Sequence, residues 1–208
     1  MANFARWLNS NQPKTDKMAV LTERNVEKFM VGELALDGYM DRVRRVADAA
    51  GIVEPSANPR VIRAMVALEA GVPPDYVARY LDWRDFEGFC ARLMAARGFS
   101  VTLDLRLKRP RAQVDILARS SSIALLVDCK HWARGRGGAG LYAVIEKQIA
   151  RARLVRIAMK AVEPMAVVVL SLAEERPGFL GGAAVVPVRA LGDFLDNALA
   201  YSAQLTLY

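Results

Sequence analysis

The stretch from residue 111 to 130, RAQVDILARSSSIALLVDCK, constrains this chain more than any other. It reads as two apolar strands, 113–118 and 123–130, joined across Ser120-Ser121-Ser122. A turn centred between Ser121 and Ser122 sets Asp115 opposite Asp128, Val114 opposite Cys129 and Ile116 opposite Val127. Directly opposed side chains have Cβ atoms about 4.5–5.5 Å apart, so two carboxylates lie side by side. Alternation puts Asp128 and Lys130 on one face and Cys129 on the other. The flanking residues are apolar on both faces, as in a strand covered on both sides. Two acids and an ammonium break that pattern, and such breaks concentrate at functional sites.

Two like charges this close repel, and their desolvation is costly without a cation between them. Hard divalent cations such as Mg²⁺ take oxygen ligands, commonly one or two carboxylates with waters and substrate phosphates. A lysine two residues from an acid can hold a water or steady the charge developing on a phosphate. Equally, Lys130 can simply neutralise the pair at a strand end. The hairpin by itself leaves both readings open.

The 208 residues suffice for a domain with a helical extension, and the 53% hydrophobic content can fill a core. No apolar run approaches the ~20 residues that span a bilayer, and the opening MANFARWLNSNQPKTDK lacks the apolar centre of a signal peptide. The chain is therefore expected in the cytoplasm, away from membranes. Cys90 and Cys129 show neither disulfide nor zinc spacing. Residues 1–82 carry 11 basic and 11 acidic side chains, so the whole net charge of +7 belongs to residues 83–208. A basic balance centred on the hairpin suits a polyanionic partner.

Residues 1–17 are polar. A helix is expected from Thr22, with Val26, Phe29, Met30 and Leu34 on one face, then others over about 38–50 and 60–70. The following AGVPPDYVARYL resembles a helix-turn-helix in Ala67, Gly71, Val72 and Val77. Either residues 74–81 enter a DNA groove or the pair is a plain helical hairpin. The neutral charge of this half, and Arg79 as the one basic residue of 74–81, favour the hairpin. Asp82 caps a helix over 83–97, with Asp85 acting at the same end. Glu87 borders that helix's apolar stripe of Phe86, Phe89, Cys90 and Leu93, though the helix dipole alone accommodates an acid there. A strand over 99–107 ends in the basic loop Lys108-Arg109-Pro110-Arg111.

Beyond the hairpin, HWARGRGGAG does not stand in the order of a nucleotide-binding glycine loop. It is a connector whose Arg134 and Arg136 can touch a phosphate backbone. His131, the sole histidine, either shuttles a proton or is inert. A helix over about 141–161 has the stripe Leu141, Val144, Ile145, Ile149, Ala152, Val155 and Met159, with Gln148 inside it. A core-facing amide needs partners, from an adjacent site or from the core itself. Arg151, Arg153, Arg156 and Lys160 read as a solvated face that can also meet phosphates. A strand at 165–172, a glycine-rich link, a strand at 183–188 and a helix at 191–201 complete the chain.

Glu87, Asp115, Asp128-Cys129-Lys130 and Gln148, in that order on helix, strand, strand and helix, resemble the PD-(D/E)xK nuclease superfamily. The likeness covers roughly residues 83–172, and its nearest relatives in kind are archaeal Holliday-junction resolvases and Mrr-type restriction endonucleases. Val114 stands where the family has proline, and Asp128 replaces the commoner glutamate. The resemblance implies an α/β, restriction-endonuclease-like mixed β-sheet flanked by helices (83–208), preceded by an all-helical region (1–82). It further implies that Asp115 and Asp128 ligate Mg²⁺ or Mn²⁺ and that Glu87 completes the metal site. Lys130 would then position and activate a water, and Gln148 orient it. The implied activity is metal-dependent DNA endonuclease cleavage, junction-resolvase-like or Mrr-like, by in-line displacement of a 3′ oxygen. A homodimer follows, since two strands need two sites. Lys108, Arg109, Arg111, Arg134 and Arg136 would touch DNA. Two alternatives are a DNA-binding module with an inactive nuclease fold and an interaction protein whose basic face is incidental.

Overall fold

A computed structural model describes residues 21, 25–32, 34, 41–42, 58–132, 138–172 and 177–208. The chain divides into two compact units, Met1–Arg97 and Gly98–Tyr208.

In the first unit α1 (Val26–Val31) buries Val26, Phe29 and Met30, the expected face. The segments 1–17 and 43–50, and Thr22, lie outside the described residues. Helix α2 (Pro59–Glu69) starts at Asn58, whose side chain accepts the Arg60 N–H at 3.0 Å. A turn at Gly71, φ +91°, leads to α3 (Pro74–Ala78), a backbone conformation that favours glycine. Ala67, Val72 and Val77 are buried across this turn. Helix α3 stops after five residues, short of the expected 81. Asp82 caps α4 (Trp83–Ala96), accepting the Arg84 and Asp85 N–H groups at 2.9 Å each. The Asp85 side chain does not share the capping; it accepts from Asn58 Nδ2.

The second unit is built on a six-stranded mixed sheet in the order β1-β2-β3-β4-β6-β5. Its strands are β1 (Ser100–Lys108), β2 (Arg111–Arg119), β3 (Ala124–Lys130), β4 (Met165–Ser171), β5 (Gly178–Leu180) and β6 (Ala183–Pro187). Strands β1, β2 and β3 pair antiparallel, and β3, β4 and β6 pair parallel. A parallel pair needs a crossover, and α5 (Gly138–Met159) provides it between β3 and β4. Every residue of β4 is buried, as befits a central strand covered on both faces. Leu117, Leu126, Val167 and Val169 pack with Ile145, Ala152 and Val155 of α5. Met159, expected in that stripe, is exposed at the end of the helix. Strand β5 forms within the segment read as a glycine-rich link, and α6 (Leu191–Asp196) is shorter than expected, followed by a 3-10 turn, Ala200–Gln204.

The turn between β2 and β3 is made by Ser120. Its hydroxyl accepts from the N–H groups of Ser122 and Ile123 at 3.2 and 3.1 Å, and donates to the Ile123 carbonyl at 3.0 Å. This fixes the expected register: Arg119 pairs with Ala124, and the ladder runs on to Ile116 opposite Val127.

One level of the sheet is irregular. Strands β1 and β2 are registered at Leu103↔Ile116 and again at Leu105↔Val114, but not at Asp104 and Asp115 between them. Asp104 has φ +49°, rare for a residue with a side chain. The core against α5 takes Leu117 from the inner part of β2 but Val114 from the outer part. A spacing of three in place of an even number means that the strand changes face there. Beyond it, β1 and β2 form an outer arm, residues 104–115, whose turn holds a cis Arg109–Pro110 bond.

Candidate active site

The irregular level is where the acids lie. Asp128 and Lys130 sit at the carboxyl end of β3, opposite Val169 and Ser171 of β4. In open α/β sheets, ligand crevices form outside the carboxyl ends of strands. The β2–β3 ladder stops at Ile116↔Val127, one step short of Asp115 and Asp128. There the Asp115 carboxylate accepts the Cys129 N–H at 2.8 Å. A side chain takes over from the backbone at that step.

Asp128 is 3% exposed, and a carboxylate so buried needs partners. It has three. Lys130 forms an ion pair with Oδ2, Gln148 donates Nε2 to Oδ1, and Arg151 Nη1 lies 3.8 Å from Oδ1. Gln148 is 1% exposed, inside the buried stripe of α5 as its spacing indicated, and its Oε1 is buried without a hydrogen-bond partner. Burial pushes the Asp115 carboxyl above the ordinary carboxylate range. The Cys129 N–H draws it back down, Asp128 adds to the rise, and Lys130 and Arg151 offset it.

The hairpin therefore gathers four of the expected residues into one neighbourhood: Asp115, Asp128, Lys130 and Gln148. Glu87 is half-buried on α4 in the first unit. Lys108, Arg109 and Arg111 are exposed at the tip of the outer arm; Arg134 and Arg136 lie outside the described residues. Arg151, read from the sequence as part of a solvated face, instead reaches Asp128. The available signal was its position three residues after Gln148, which places both on one side of the helix.

Among the described residues no three His, Cys, Asp or Glu side chains come together as a metal cage. The hairpin supplies a carboxylate pair, with the Gln148 amide oxygen as a third hard donor beside it. That set suits an ion that keeps several waters.

Residues 78–163 match the family model Mrr_cat, described as a restriction endonuclease. The matched segment is similar to a restriction endonuclease, and the mixed sheet flanked by helices is consistent with a restriction-endonuclease-like α/β fold. The matched segment spans the residues expected from the resemblance, Glu87 to Gln148, and runs through both sides of the irregular level. No curated protein matches the chain. Among solved structures, the crystal structure of protein VC1899 from Vibrio cholerae is similar at 11% identity, with a TM-score of 0.38. The match covers 98% of this chain and 57% of that one, so this chain spans little more than half its length. No described helix is long and apolar enough to cross a membrane.

Proposed function

We propose that this chain is a metal-dependent DNA endonuclease that hydrolyses phosphodiester bonds, in the manner of a junction resolvase or an Mrr-like restriction enzyme. The observation that carries the reading is the surroundings of Asp128: a buried carboxylate held by Lys130, Gln148 and Arg151, beside a desolvated second acid. Asp115 and Asp128 would hold Mg²⁺ or Mn²⁺. Such an ion, when bound, lends positive charge to phosphate oxygens and acidifies a water. Lys130, kept in place by Asp128, positions the attacking water and takes part of the negative charge that develops on the phosphate. Gln148 fixes the Asp128 carboxylate through its amide N–H and offers its oxygen to the water. A homodimer would bring two such sites to two strands.

The test is cleavage of a panel of linear and branched DNAs with Mg²⁺ or Mn²⁺. Cleavage by the native chain is expected, reduced at least 10²–10³-fold, roughly the cost of one lost transition-state contact, in Asp115→Ala and Lys130→Ala. Undiminished cleavage in both variants removes the site assignment. Salt-sensitive DNA binding without cleavage under either metal would favour a DNA-binding module on an inactive nuclease fold.

A further inference from the structure

We propose that the pocket between the outer arm and α5 holds one internal phosphate of the DNA backbone, next to the phosphate being cleaved. The inference rests on the nuclease reading and adds a subsite to it. The pocket has a volume of about 270 Å³ and is lined by Arg106, Arg111, Gln113 and Arg151, with Leu107 and Leu154 as walls. Pockets for drug-sized ligands run to roughly 300–1,000 Å³. This one lies just below that range, and its polar lining suits a compact polar group.

Its chemistry selects an anion. Three guanidinium groups line it, and arginine's planar fork matches phosphate oxygens in pairs. Arg106 is already oriented. Asp104 accepts its Nε at 3.0 Å and pairs with its Nη2 at 2.7 Å, and the same carboxylate accepts Gln113 Nε2 at 2.7 Å. Two carboxylates, Asp104 beside Arg106 and Asp128 beside Arg151, do not cancel three guanidinium groups, so the pocket is left positive. Holding the fork in advance lowers the entropy lost on binding. The Asp104 backbone that makes this possible belongs to the irregular level.

Arg151 locates the phosphate relative to the chemistry. It lines the pocket and lies 3.8 Å from Asp128 Oδ1. One side chain thus belongs to both places, so the group in the pocket is a near neighbour of the group at the hairpin. On a continuous strand, that neighbour is the adjoining phosphate.

The experiment measures equilibrium binding of a short duplex by fluorescence anisotropy over a range of salt, in chelator, for the native chain and for Arg106→Gln and Arg111→Gln. Both side chains are exposed, and circular dichroism checks that the variants are folded. Each variant is expected to bind about tenfold more weakly and to flatten the log–log salt dependence by about 1. Arg189→Gln, which removes an exposed charge in the same unit away from the pocket, is expected to leave the slope unchanged. Duplexes with 5′-phosphate and 5′-hydroxyl ends should bind alike. A preference for 5′-phosphate that the variants abolish overturns the proposal in favour of a terminal-phosphate site. Native slopes in both pocket variants, or equal flattening by Arg189→Gln, overturn the pocket while the nuclease reading stands. No DNA binding by the native chain defeats that reading, and the pocket proposal with it.

Discussion

Asp115 accepts the backbone N–H of Cys129 at 2.8 Å, so a carboxylate continues the β2–β3 pair where the backbone ladder has ended. One oxygen is committed to the neighbouring strand, which sets the orientation of the other. The carboxylate is at once part of the sheet and part of the candidate chemistry, and the two roles make opposite demands on its charge.

The first prediction concerns pH. Burial raises the folded-state pKa of Asp115 above its value in the unfolded chain. Its contribution to stability is therefore complete below the ordinary carboxylate value and is lost as pH rises through the raised one. Asp115→Asn keeps an acceptor for the Cys129 N–H and carries no charge. Urea unfolding in chelator should show this variant gaining on the native chain as pH climbs through that window, with a constant advantage at neutral pH. A native chain that gains on the variant would mean the carboxylate is better paired than its burial implies.

The second concerns metal. A ligand at a hundred times its Kd stabilises the folded state by about 2.7 kcal/mol. Titration with Mg²⁺ or Mn²⁺ should raise the Tm of the native chain and move that of Asp128→Asn much less. Equal shifts in both would place ion binding elsewhere.

The third concerns Gln148. Its amide N–H is buried against Asp128, and losing a hydrogen bond to a buried charge costs about 1–3 kcal/mol. Denaturant unfolding of Gln148→Leu should show a loss of that size. Gln148→Glu sets a second acid beside Asp128 and should destabilise more at neutral pH. A divalent cation should then restore more stability to it than to the native chain, as differential scanning calorimetry can measure.

Much of this was legible in the sequence, for physical reasons. Three serines between two apolar runs fix a register, and a hydrogen-bonded Ser120 delivered the one expected, down to Ile116 opposite Val127. A glutamine amid aliphatic side chains at helical spacing had to be buried, and Gln148 is. Arg151 was legible only in its spacing from Gln148, because a long flexible cation reads as solvated until its partner is located by tertiary packing. Strand β5 was hidden because three residues carry no usable alternation. The change of face at Asp104 and Asp115 follows from a backbone choice that asparagine and aspartate tolerate but do not announce.

The fourth prediction tests that backbone choice. At φ +49° a β-branched side chain meets its own carbonyl, at a cost of roughly 1–2 kcal/mol. Asp104→Val should lose about this much in thermal unfolding, and Asp104→Asn little. Equal effects would show that the strand does not depend on the left-handed residue.

The change of face also separates two kinds of freedom. Inward of it, nearly every side chain is enclosed by other parts of the sheet and α5, so replacement is punished by lost packing. Outward of it, Val114, Leu105 and Leu107 still pack on the core, but Arg106, Lys108, Arg109 and Arg111 on the same ribbon stand in solvent. Substitutions at these arginines and lysines can therefore change the charge and shape of the ribbon's surface while the packed sheet and α5 stay as they are.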